Sequence, residues 1–290
     1  MSVLDWRGLR KQSFFTLHAT FLAGIEYIEK QEINMQHVNQ PLSKVLVQVL
    51  LLTITGTLAV PASAEIFEYP IANDAEEVEI DEGIEFTLTC IRARTGDEDD
   101  SGIIRITASD EDAFDLDLSS SEISLSRNSS FSSWFNVSKT VSAELLLSYS
   151  PEAIEVRSAA EGRVSECFSD SAHVELTASS GSSLRINGGN SQITQLEVDV
   201  SSGAKIDIKA PMNMTSAKVE ASSGGQIEFA DEVEIDSASV RISSGGSAEM
   251  CGAKAIDGRI SSGGNIDVSE SAKRNDLKIS SGGNADSFHC

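Results

Sequence analysis

The 290 residues carry 45 acidic against 22 basic side chains, a net charge of −23, with 40% hydrophobic and 6% aromatic residues. That balance repels nucleic acid and anionic lipid, and it favours solubility and association with cations. Four cysteines form no Cys-x-x-Cys pair, and only His173 and His289 lie beyond residue 64, so a metal centre of that kind is a poor reading.

The first element in chain order is a 16-residue apolar run, residues 45–60, too short to span a bilayer comfortably. Pro61-Ala62-Ser63-Ala64 follows, and Ala62-x-Ala64 fits signal-peptidase cleavage before Glu65. A signal peptide begins near its start codon, and Met35 to Lys44 supplies a short basic leader. The expectation is therefore a Sec-type signal peptide over 35–64, with 1–34 the product of a mis-called start. A genuine extension with an uncleaved anchor is the competing reading. No cysteine follows the cleavage site to carry a lipid, and the later apolar segments are too short for a further span. This predicts a periplasmic, outer-surface or secreted protein without stable membrane insertion. Residues 1–64 hold four acids and five bases, which leaves the exported part 41 acids, 17 bases and a net charge of −24.

Residues 65–157 read as an N-terminal β segment. Alternating runs at 84–94 and 103–109 flank an acidic turn, Thr95 to Gly102, and predict antiparallel strands that cap a stack. Trp134, between Phe131 and Phe135, reads as cap core.

From residue 158 the chain repeats. Ser-Ser-Gly begins at Ser179, Ser201, Ser222, Ser243, Ser261 and Ser280, in steps of 22, 21, 21, 18 and 19 residues, and the last four copies read Ser-Ser-Gly-Gly. Ser158-Ala159-Ala160-Glu161-Gly162 reads as a degenerate first corner. Counted from the first Ser, positions −3, −1, +5 and +7 are aliphatic in almost every copy, as in Val198, Val200, Ile206 and Ile208, while the positions between are mostly polar. This period-2 pattern predicts a strand, a glycine corner, a second strand and a looser return of about eight to ten residues. One unit cannot bury its own apolar face, but identical units stacked about 4.8 Å apart make one long core. The expected fold is all-β, a single-stranded-type parallel β-helix or β-solenoid with an N-terminal β cap. A Gly/Ser linker would not keep aliphatic residues in register on both sides of each corner, and a sandwich of hairpins lacks its turn signals beyond Asn187-Gly188.

Position +6 holds Arg185, Asp207, Glu228, Glu249, Asp267 and Asp286. Five carboxylates on successive rungs would repel one another unless cations intervene, so Asp207, Glu228, Glu249, Asp267 and Asp286 are the candidate weak calcium ligands; no other cofactor is implied. A solvated acidic strand face is the plainer reading. Position −2 holds Thr177, Asp199, Glu220, Arg241, Arg259 and Lys278, and its bases would approach the last acids if the corner folds the strands close. Four exported cysteines permit two disulfides in three pairings; Cys90–Cys167 with Cys251–Cys290 is the expected one.

The corners and strands such as Leu196-Glu197-Val198-Asp199-Val200 and Ile227-Glu228-Phe229 resemble the putative auto-transporter adhesin head GIN domain family, over roughly residues 75–290. The resemblance implies an N-terminal β segment leading into a rightward-coiling β-helix, and an exported, envelope-associated, adhesin-like protein. It supplies no catalytic or binding residues, and the chain shows no translocator segment beside it. The expected function is a binding or structural module at the envelope, with a cell-surface or polysaccharide ligand. The alternative is a carbohydrate-binding or carbohydrate-cleaving β-helix. Catalysis is disfavoured because the returns are short and no Gly-x-Ser-x-Gly elbow, phosphate loop or His-Glu-x-x-His motif occurs.

Overall fold

The computed structural model describes residues 64–71, 74–91, 102–128, 140–187, 191–209 and 211–288. The expected signal peptide and start, Trp134 with its neighbours, Gly188, most of the acidic turn and Cys290 lie outside them. The strands in chain order are β1 (Glu65–Ile71), β2 (Glu77–Ile80), β3 (Glu85–Cys90), β4 (Gly102–Ala108), β5 (Phe114–Leu118), β6 (Glu122–Arg127) and β7 (Ser142–Leu147). Then come β8 (Ala153–Val156), β9 (Glu161–Ser165), β10 (Asp170–Ala178), β11 (Ser183–Ile186), β12 (Ser191–Val200), β13 (Lys205–Ile208) and β14 (Met212–Ala221). The last are β15 (Gln226–Phe229), β16 (Val233–Ile242), β17 (Ser247–Met250), β18 (Ala255–Ile260), β19 (Asn265–Ser269), β20 (Lys273–Ile279) and β21 (Asn284–Phe288).

Each repeat is one coil that gives a strand to each of two sheets. The first sheet runs β1-β4-β7-β3-β9-β11-β13-β15-β17-β19-β21, and the second runs β20-β18-β16-β14-β12-β10-β8-β2-β6-β5. From β10/β11 to β20/β21 every neighbour is parallel. The fold is thus a parallel β-solenoid, as the period and the alternation require. The −3, −1, +5 and +7 columns point inward: Val198, Val200, Ile206 and Ile208 are all fully buried. The return is more ordered than the sequence suggests, because it forms the first half of the ten-residue strands β12, β14 and β16. These strands break alternation at one paired outward step, Thr194-Gln195 in β12, and the break stacks on Thr215-Ser216 of the next coil.

The corners are two-residue turns in which both central residues have positive φ, as in type I′ turns. Ser202 (53°) and Gly203 (74°) form one, and its fourth residue, Ala204, donates to the carbonyl oxygen of Ser201 at 3.0 Å. Backbone N–H groups stack the corners: Gly203 donates to Ser223 and Gly224 to Ser244. The degenerate corner exists one residue earlier than its serine suggests: Ser158 (47°) and Ala159 (63°) are the central pair, so Arg157 is the counterpart of Ser179. Glu82 (57°) and Gly83 (68°) make another corner that the repeat spacing does not reveal.

The runs at 84–94 and 103–109 are not partners in a hairpin. β7 lies between β3 and β4, antiparallel to β4 and parallel to β3. Coil β2/β3 is itself a solenoid level, held between the later coils β6/β7 and β8/β9. Among the described residues antiparallel pairing is confined to β1–β4, β4–β7 and β5–β6, at the N-terminal edges of the two sheets. Cys90 and Cys167 close a disulfide where β3 and β9 end; the Cα separation of 4.9 Å equals one rung. Cys251 is disulfide-bonded too.

Candidate functional site

Alternation leaves two outward faces, each crossed by charged columns. On the first sheet Thr87, Arg163, Arg185, Asp207, Glu228, Glu249, Asp267 and Asp286 align on successive rungs. The five expected carboxylates therefore share one line. The first two are neutralised by groups that the acid pattern does not flag. Lys205 lies 2.8 Å from Asp207 Oδ1 and 3.0 Å from Glu228 Oε2, Lys209 also binds Glu228, and Arg185 approaches Asp207 at 3.5 Å. The Lys205 contact to Asp207 Oδ1 is an ion pair without a directed hydrogen bond. Under these cations the Asp207 side chain is only 5% exposed. Hydrogen bonds from Lys209 and Lys205 lower the Glu228 carboxyl to about 2.

Asp267 and Asp286 accept hydrogen bonds from Asn265 (3.1 Å) and Asn284 (2.7 Å), and Asn284 also donates to Asn265 at 2.9 Å. Among the described residues no cation forms an ion pair with Glu249, although the Lys209 charge partly offsets the acids around it. Desolvation, then the charges of Glu228, Asp267 and Asp231, push its carboxyl above the ordinary range. Among the described residues no three Asp, Glu, His or Cys side chains converge as a metal cage. One carboxylate per rung sets that spacing.

On the second sheet the outward column reads Glu79, Glu155, Thr177, Asp199, Glu220, Arg241, Arg259 and Lys278. Arg157 binds both Glu79 and Glu155 at 2.6 Å, and Lys218 binds Glu197 and Glu220. Burial, and then the Glu220 charge, raise the Asp199 carboxyl. The two faces run in opposite senses: the first goes from arginines to carboxylates along the stack, the second from carboxylates to arginines. The expectation that the −2 bases approach the +6 acids fails, because the corner carries the chain from one sheet to the other and each row points away from the core on its own face.

Two shallow grooves mark these faces. One, about 450 Å³, includes Arg105, Arg163, Arg185 and Thr87 of the first sheet. The other, about 460 Å³, includes Arg241, Arg259, Lys278 and Asp257 of the second. The family model described as "Putative auto-transporter adhesin, head GIN domain" matches residues 76–272. The chain belongs to that family. A comparison with curated proteins finds no significant match. Among solved structures, a putative adhesin from Bacteroides fragilis is similar at TM-score 0.57 and 12% identity, over 78% of this chain and 97% of that one. A putative lipid binding protein from Parabacteroides distasonis gives 0.55 and 12%, over 77% and 96%. A putative adhesin from Parabacteroides merdae gives 0.53 and 13%, over 78% and 96%. At these identities the likeness is one of fold. Among the described residues no helix is long and apolar enough to cross a membrane.

Proposed function

We propose that this GIN-domain chain is an exported, adhesin-like binding module that works at the cell envelope through the outward faces of its two sheets. The observation that carries the reading is the form of those faces. Charged columns run along both sheets in strict register, while the interior is filled by aliphatic columns. Contacts repeated every rung add up, so weak individual contacts suffice for adhesion. The sequence supports export through the apolar run and the Ala62-x-Ala64 site. The adhesin and lipid-binding descriptions of the family and of the similar structures support a binding role over a catalytic one.

The test is to express the full chain in a bacterium, sequence the N-terminus of the exported product, and measure its binding to intact cells. A product that starts at Glu65 and saturably coats cell surfaces supports the reading. A protein retained in the cytoplasm, or one that binds no cell surface, sinks it.

A further inference from the structure

We infer that Arg241 and Arg259 form the anion-holding centre of a groove that binds an acidic polysaccharide, with a sugar carboxylate bridging the two guanidinium groups. The inference rests on the surface-binding reading and names the ligand chemistry of one face.

The first observation is electrostatic. Eight of the 14 described lysines and arginines meet a described carboxylate within ion-pair distance, and Arg241 and Arg259 are among the six that do not. These two are exposed and directly opposite each other in register. Glu220, the in-register neighbour of Arg241, lies 3.5 Å from Lys218 instead. Two like charges one rung apart, about 4.8 Å, destabilise a sheet, and an oxyanion between them removes that cost. Arginine's planar fork suits carboxylate geometry.

The second observation is the shape of the backbone beneath. Gly258 stands in the inward column that is aliphatic in the other coils, with φ +119°; a Cβ there would lie 2.0 Å from the carbonyl oxygen of Val240. The ladder is irregular at this point, because the register with β20 shifts between Ile256 and Gly258. The outer surface sinks here into the 460 Å³ groove, whose polar lining includes Arg241, Arg259, Lys278, Ser239, Asp257 and Asn275. That volume lies within the roughly 300–1,000 Å³ of ligand sites.

The lining also selects the ligand class. It offers no aromatic or long aliphatic side chain to anchor a hydrophobic peptide. It sets cations beside carboxylates, so a ligand that carries both an anion and many hydroxyl donors satisfies both signs together. A sugar acid has that combination.

The experiment is affinity electrophoresis of the purified full-length exported chain through gels containing polygalacturonate, dextran sulfate, polyglutamate or neutral dextran, at fixed ionic strength. The expected result is retardation by polygalacturonate above all others. In the Arg241→Ser/Arg259→Ser variant the affinity falls at least tenfold, whereas Lys273→Ser, an exposed lysine outside both grooves, stays within twofold, with unchanged melting for both. No retardation by polygalacturonate overturns the inference, as does equal loss in Lys273→Ser, which would mean diffuse attraction. Preference for dextran sulfate moves the site to sulfate, and preference for polyglutamate moves it to acidic peptides; either overturns the assignment. If cell-surface binding persists while polygalacturonate is ignored, this inference fails and the surface-binding reading stands.

Discussion

Arg274 reaches from β20 to β21 and donates to the carbonyl oxygen of Ala285 at 3.3 Å, and also to the Ser287 hydroxyl. Its position continues the inward column Val174, Leu196, Ala217, Ala238 and Ile256, so a guanidinium stands where the five preceding coils place an aliphatic side chain. This is the last described coil, and Ile279 is already 48% exposed. A charged residue at an inward edge position discourages another chain from pairing there. Arg274→Leu is expected to produce concentration-dependent dimers or longer stacks in sedimentation velocity, where the parent chain gives none by that edge. A variant with an unchanged sedimentation profile would show that the edge is protected by other means.

Glu228 and Glu249, neighbours on one column, should respond to pH with opposite signs. The folded Glu228 carboxyl titrates at about 2, below its ordinary 4.5. Its stabilisation is therefore complete above 4.5 and is lost as the pH falls toward 2. A third of the side chain is exposed and solvent screens the pair, so Glu228→Gln should cost only about 0.5–1 kcal/mol at pH 7. The cost should vanish near pH 2 in urea titrations. Glu249 is raised, so its ionised form is the penalised one. Glu249→Gln should increase the melting temperature at neutral pH, and the gain should disappear below the ordinary carboxylate value. A loss of stability at pH 7 in Glu249→Gln would contradict this assignment.

How much of this was legible follows from what each feature needs. The inward columns require only period-2 alternation about a visible corner, so Val198, Val200, Ile206 and Ile208 could be placed from sequence. The Glu82-Gly83 corner could not, because its coil is separated from the next by the inserted strands β4 to β7, and Asp81-Glu82 stands where the Ser-Ser-Gly corners have Ser-Ser. The acid row was visible as a row. Its neutralisation was not, since Lys205 and Lys209 act on Glu228 from the preceding coil, which only the rung register reveals. The opposite charge sense of the two faces likewise appears only once the corner is known to change sheets.

Calcium should act on this face by screening. Two of the five carboxylates are already paired with cations, two accept amide hydrogen bonds, and no described cluster of three carboxylates converges. Melting curves in calcium and in magnesium, at equal ionic strength, are expected to coincide. A calcium-specific rise that Glu249→Ala removes would establish a real site.

The Cys90–Cys167 bond spans 77 residues and ties coil β2/β3 to coil β8/β9. Those coils are adjacent in space although β4 to β7 intervene in the chain. Closing so long a loop in the unfolded state gives about 4.5 kcal/mol in the chain-entropy picture, which engineered bridges rarely reach. Cys90→Ala/Cys167→Ala should therefore lower stability by about 2–4 kcal/mol in urea. A loss below about 0.5 kcal/mol would mean that strand pairing alone holds this level of the stack.

The two glycines of one corner are required for different reasons, and alanine substitutions should separate them. Gly224 has φ +78° and a Cβ there would meet nothing within 4 Å, so Gly224→Ala bears only the left-handed penalty, about 1–2 kcal/mol. Gly225 has an ordinary φ, but its Cβ would lie 2.4 Å from the carbonyl oxygen of Val200 in the coil before, and backbone cannot step aside as a side chain can. Gly225→Ala should cost about 3 kcal/mol or more by forcing two coils apart. Ala204 occupies the same turn position and is fully buried, so the earlier coils already accept a methyl group there. The ordering Gly225→Ala worse than Gly224→Ala, read from urea midpoints at equal slope, is the expected outcome. The reverse order would mean that the corner's dihedral angles, and not the approach of successive coils, set the demand for Ser-Ser-Gly-Gly.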